Sequence, residues 1–158
     1  THALDLIVVA EGLEHPDLIE AVSILGADMG QGYALARPLP PEHISPLLIL
    51  PPAPPQAHTP RTALGALATH WQMLNAFRPK NISPSAPKAA DPHNPAAHCP
   101  VNQFIINQEL QGSALDMAHQ ALHALEHEGG CHSAEFHYLL GQVQAYLAEL
   151  VVKPELAP

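Results

Sequence analysis

Proline decides where this chain can hold regular structure. It contains eighteen prolines, and most fall in two stretches, 38–60 and 79–100, the first with PLPP and PPAPP. Each proline fixes φ and removes a backbone donor, so neither stretch supports a long helix or an interior strand. With only 13% charged residues, the pattern reads as folded pieces joined by stiff, irregular linkers.

The first piece is short. Leu4–Ala10 is an almost continuous β-branched apolar run, as in a strand buried on both faces. EGLEHP follows, and then Leu18, Ile19, Val22 and Leu25 recur at helical spacing over Asp17–Leu25. Pro16 suits a first helical turn, Asp17 suits the positive helix start, and Gly26 is a natural stop. A second strand is expected at Gln31–Ala36. Residues 1–50 therefore read as one β–loop–α–β unit of a parallel α/β fold with a short helix near His43–Leu48, and 51–61 as a linker.

The second piece, 62–152, reads as all-α. Leu64, Leu67, Ala68, Trp71 and Leu74 share a face of a helix over Thr62–Phe77. Further helices are expected at Asn102–Leu110, Ala114–Glu128 and Ser133–Val152. The last carries a stripe of Phe136, Leu139, Leu140, Val143, Tyr146, Leu147 and Leu150. This is a four-helix unit with one long loop, followed by a tail at 153–158.

Charge narrows the function classes. The net charge is −9 with six Lys plus Arg, which disfavours a nucleic-acid polymer as partner but leaves room for a small nucleotide held by metal ions. No apolar run approaches about 18 residues, so no membrane segment is expected. No secretory leader is evident, and two cysteines point to reduced thiols in the cytoplasm.

Glu11 and Glu14 follow the first strand directly, and Gln31 stands at the second. In parallel α/β folds chemistry gathers at the C-terminal ends of strands, where a carboxylate can hold Mg2+ or orient a metal-bound water. The plain alternative is that these acids only complement a helix dipole. The residues go further. VVAEGLE (Val8–Glu14), GADMGQGY (Gly26–Tyr33) and ARPLP (Ala36–Pro40) resemble the last two strand–loop segments of the EAL domain. That family reads approximately VVAEGVE, GCDYGQGY and S(K/R)PLP. Leu13 stands for Val, His15–Pro16 for a Thr–Glu pair, and Met29 for an aromatic. The resemblance implies the end of a (β/α)8 TIM barrel that hydrolyses cyclic di-GMP to the linear dinucleotide with Mg2+ or Mn2+. Glu11 would be the catalytic carboxylate handling metal and water, and Glu14 and Gln31 would support the loop or contact substrate. The family's other acidic ligands belong to earlier strands. The functional protein is therefore expected to be longer, and this chain alone inactive. A silent EAL remnant that senses the nucleotide, or a tail that only dimerises, is the competing expectation.

Twelve histidines against six Lys plus Arg ask for individual weighing, since imidazole is the commonest metal ligand. His119, His123 and His127 form an i, i+4, i+8 ladder. Leu115, Ala118, Leu122 and Leu125 define the apolar face; His119 borders it, His123 lies further round and His127 nearly opposite. His70 flanks the face of the first tail helix, and Cys99 opens the third segment. His70, Cys99, His119 and His123 make a donor set that zinc accepts. The alternatives are another metal or haem, or none, with borderline histidines in an alanine-rich bundle and Cys99 as a small buried apolar group. Cys131–His132 with His127 and His137 is a rival cluster, better read as a helix junction. Residues 62–150 resemble the chemoreceptor zinc-binding domain, a four-helix bundle with an early His, a Cys opening a CxxGxW-like stretch, and a later HxxxH. CPVNQF (Cys99–Phe104) departs from it at Asn102 and Phe104. That resemblance implies zinc on the same four residues, in a regulatory or homodimerising tail.

Overall fold

The computed structural model describes residues 5–47, 59–76, 96, 99–130 and 133–153. Two strands, β1 (Val9–Ala10) and β2 (Met29–Gly30), pair in parallel with Val9 opposite Met29 and Ala10 opposite Gly30. The connection between them is α1 (Pro16–Ile24). Asp28 sets this register: its Oδ2 accepts from the Val8 N–H at 2.7 Å, while the Val8 carbonyl accepts from the N–H groups of Asp28 and Met29. As expected, Pro16 opens α1, and Gly26 ends it with φ of 88°, a left-handed conformation that glycine adopts without a Cβ penalty.

The rest is helical: α2 (Pro41–Leu47), α3 (Ala63–Ala76), α4 (Pro100–Asn107), α5 (Ala114–His127) and α6 (Ala134–Val152). Serine starts the last two. Ser113 accepts from the Asp116 N–H and Ser133 from the Phe136 N–H, each satisfying a donor that the first helical turn leaves orphaned. Helices α3 to α6 enclose one core, in which Val101, Ile105, Phe136, Val143 and Leu147 are almost fully buried. The expected α6 stripe is this core's spine, with Leu139, Tyr146 and Leu150 at its edges. Among the described residues, no helix is long and apolar enough to cross a membrane.

The chain is mostly helical, and among the described residues two strands and no closed barrel are present, in keeping with the expectation that two strands alone cannot close a sheet. Three expectations need correction. The second strand lies at Met29–Gly30, not Gln31–Ala36, because the chain turns immediately afterwards: the Gly32 carbonyl accepts from both Leu35 and Ala36 N–H groups. A Cβ on Gly32 would come within 2.2 Å of the Leu13 backbone, so only glycine permits that close approach. The first strand is not buried on both faces either, as Leu6, Ile7 and Val9 are exposed; a single neighbouring strand cannot cover it. On α3, Trp71 is exposed while Gly65, Ala66, Ala68, Thr69 and His70 are buried. This helix touches α1, α4 and α6, and a helix enclosed on several sides buries its small residues.

Glu20, on α1, reaches the start of α3. Its carboxylate accepts from the backbone N–H groups of Arg61 and Thr62 at 2.8 and 2.9 Å and from the Thr62 hydroxyl at 2.6 Å. Ala21 and Ile24 of α1 pack with Ala68 beside Leu64. At the other end, the Gln72 side-chain amide donates to the Ile24 carbonyl.

Candidate metal centre

The βαβ unit places its acids at one rim. Glu11 directly follows β1 and Gln31 directly follows β2, so both stand at the C-terminal ends of neighbouring parallel strands. The loop between β1 and α1 is held by its backbone: Gln31 N–H donates to the Ala10 carbonyl at 2.8 Å, and Leu13 N–H to the Gln31 carbonyl at 3.1 Å. Leu13 is buried as the plug of this loop, while Glu11, Glu14 and Gln31 remain exposed. Gly12 takes φ of 69°, which turns the chain between the two acids. The donors for a divalent cation are not gathered here: among the described residues, the one group of three or more such side chains lies in the helical bundle.

That group is Cys99, His119 and His123, whose ligand atoms all lie within 4.8 Å of one another and all of which are buried. Cys99 occupies the N-cap of α4, with Pro100 beginning the helix, so its sulfur sits where a helix favours negative charge. His119 and His123 are one turn apart on α5, with rings in edge contact at 4.7 Å. His119 Nε2 is 3.3 Å from the Cys99 sulfur. Burial disfavours the Cys99 thiolate, but the hydrogen bond with His119 and the electrostatic pull of the neighbouring His119 and His123 imidazoles outweigh it, lowering its pKa from 9.0 to about 6. Burial also disfavours the charged form of His123, yet Cys99 and Glu126 together push its pKa up to about 9.

The rings are aimed by groups that sequence reading did not single out. Glu126 Oε2 lies 2.9 Å from His123 Nδ1, which keeps a proton on Nδ1 and leaves Nε2 as the donor atom; the same contact holds the Glu126 carboxyl below its ordinary pKa. His70 is 1% exposed, and its Nε2 is 3.1 Å from the Leu140 carbonyl. A carbonyl only accepts, so Nε2 carries the proton and Nδ1 is the ring atom this residue could offer. Burial, and the charges of His119 and His123, hold the His70 pKa down. His70 thus borders the cluster from α3 without joining the group of three. Met73 on the same helix brings its sulfur to 3.9 Å from that of Cys99.

Two buried nitrogens, His119 Nδ1 and His123 Nε2, have no hydrogen-bond partner. Unsatisfied buried polar atoms are costly and uncommon. Here they belong to a thiolate–imidazole set suited to a soft or borderline metal, so the residues fit such an ion. Spacing on α5 made His119 and His123 legible, and Glu126 was within reach of the same logic, being one turn beyond His123. The Leu140 carbonyl is main chain and leaves no sequence signature. His127 is exposed, as expected, and His137 Nδ1 lies 2.8 Å from the Ser133 carbonyl. Cys131, His132, His58, His93 and His98 lie outside the described residues, whereas His15 and His43 are exposed.

No protein-family model, curated protein or solved structure matches this chain. The EAL and chemoreceptor zinc-binding resemblances are carried by their motifs.

The charge state of the cluster predicts how a metal would bind. Near pH 7 the thiol is already mostly ionised and His123 mostly protonated, and a ligand must shed its proton to bind. Zinc binding at pH 7 should therefore release a proton from His123 rather than from the thiol. Calorimetry in buffers of different ionisation enthalpy counts it; release of none, or loss of a thiol proton in its place, contradicts this assignment.

Proposed function

We propose that this chain is the C-terminal part of a cyclic-di-GMP phosphodiesterase of the EAL type, followed by a zinc-binding helical bundle that regulates or oligomerises it. The observation that supports the phosphodiesterase reading best is the parallel pairing of β1 with β2, which puts Glu11 and Gln31 side by side on the rim where such barrels work. Mg2+ or Mn2+ bound there would activate water for attack at phosphorus. Glu11 supplies a carboxylate oxygen for the metal or its water, and Glu14 and Gln31 hold the loop or touch the nucleotide. The remaining strands and acids come from a longer protein, and this chain alone does not turn over substrate. The reading includes a cytoplasmic homodimer with cyclic di-GMP as ligand.

Zinc in the bundle is supported by the buried Cys99–His119–His123 group, with His70 completing the set by moving its Nδ1 toward it. Turnover of cyclic di-GMP by the full-length protein tests the first part. Glu11→Ala should lower kcat at least about a hundredfold, as expected for a residue in proton transfer or water activation. An unchanged rate removes Glu11 from the mechanism, and nucleotide binding without turnover by the unaltered protein makes it a sensor.

The carboxylate behind His123 gives a second test. Removing an outer partner of a metal-bound histidine costs about ten- to a hundredfold in affinity. Glu126→Gln should weaken zinc by that amount in a competition titration, with circular dichroism of the metal-free protein unchanged.

A further inference from the structure

We infer that α3 couples metal binding in the bundle to the order of the Glu11–Glu14 loop, through a clasp made by Glu20 and Gln72. The inference deepens the zinc reading and rests on it. The first turn of any helix leaves backbone N–H groups without partners. At α3 the Gly65 N–H is met by the Thr62 hydroxyl, and Glu20 of α1 receives that hydroxyl and the Arg61 and Thr62 amides just ahead of the helix, setting its carboxylate at the positive helix end. The position opposite is shaped for it: a Cβ on Gly65 would fall 2.2 Å from Glu20 Oε2. Further along, Gln72 closes on the Ile24 carbonyl at the last turn of α1. Helix α1 is thus fastened to α3 at its middle and at its last residue, with Ala21, Ile24 and Ala68 packed between.

The other side of α3 belongs to the cluster. His70 is fully enclosed and bonded to α6, and Met73 meets the Cys99 sulfur. Bringing His70 Nδ1 to a metal on Cys99, His119 and His123 fixes the position of α3 along its length. Because α1 begins at Pro16, two residues after Glu14, ordering α3 orders α1, and ordering α1 fixes the end of the carboxylate loop whose other anchor is buried Leu13. Coupling between sites is reciprocal, so whatever settles the loop also tightens zinc.

Hydrogen–deuterium exchange of the full chain, zinc-loaded and zinc-stripped, tests this. Zinc should slow exchange over Leu13–Ile24 by at least about fivefold, the low end of ordinary coupling energies. In Glu20→Ala, zinc should bind with unchanged stoichiometry and still slow α5, while the effect on Leu13–Ile24 disappears. Gly65→Ala, which displaces the Glu20 carboxylate without removing it, should do the same and serves if Glu20→Ala fails to fold. Stoichiometric zinc with no slowing over Leu13–Ile24 in the unaltered chain, or slowing that persists in the variants, overturns the coupling and leaves the metal site standing. Absence of bound zinc overturns both, and metal content tells the two failures apart.

Discussion

Cys99→Ala is expected to abolish stoichiometric zinc and, with it, the dependence of the melting temperature on zinc. Cys99 is the only anionic donor of the buried group, held as a thiolate by His119 and His123 at the start of α4. Without it, a dication would keep only imidazole ligands and lose the direct negative charge that offsets its desolvation. In the unaltered protein, free zinc at a thousand times its dissociation constant should stabilise the fold by about 4 kcal/mol. For a bundle of this size that corresponds to a rise of about 15 °C or more. The variant should show no rise, and its metal-free melting should stay close to that of the parent, because alanine fills much of the space of a small buried thiol. A zinc-dependent rise of equal size in Cys99→Ala would place the metal elsewhere.

The second large effect concerns the core. Phe136 is 2% exposed and sits in the first turn of α6, its N–H donating to Ser133 Oγ at 3.0 Å. Truncating such a residue removes its transfer energy and leaves a cavity, together about 3–5 kcal/mol. Domains of this kind hold only about 5–15 kcal/mol in all, so Phe136→Ala should consume a large share of the stability of the metal-free bundle. Urea denaturation measures the loss as a lower midpoint. Zinc should recover part of it, because it binds the folded form. A midpoint shift below that of Tyr138→Ala, an exposed position on the same helix, would mean that the α6 stripe does not form the core.

What the sequence disclosed follows from how far each determinant reaches. The α6 stripe and the His119–His123 pair repeat at helical spacing within one segment, so periodicity exposed both. Gly26 marks the end of α1 by local chemistry. Trp71 lies outside because an apolar pattern shows that a helix has a buried face but not how many neighbours enclose it. On α3 the small residues are the ones inside. The second strand ends before Gln31 because Gly32 meets the Leu13 backbone, a contact between segments that no periodicity reports. Glu20 lies 41 residues from the Arg61 N–H that it receives, and the Leu140 carbonyl that sets the His70 tautomer belongs to the main chain. Both are invisible to a reading that looks for side chains in register.

The Glu20 contact also bears on where this chain can be divided. The proline-rich stretch before Thr59 looks like a seam, and a protein cut there would keep every helix of the bundle. It would also lose the carboxylate that receives the Arg61 and Thr62 amides just ahead of α3, and it would strip Gly65 and Ala68 of their neighbour. The excised bundle would begin on a helix held by Thr62 alone, beside an exposed groove of small residues, while the piece left behind would carry an acid stripped of its partners. The smallest piece that keeps this contact is therefore larger than the helical bundle: it has to include α1.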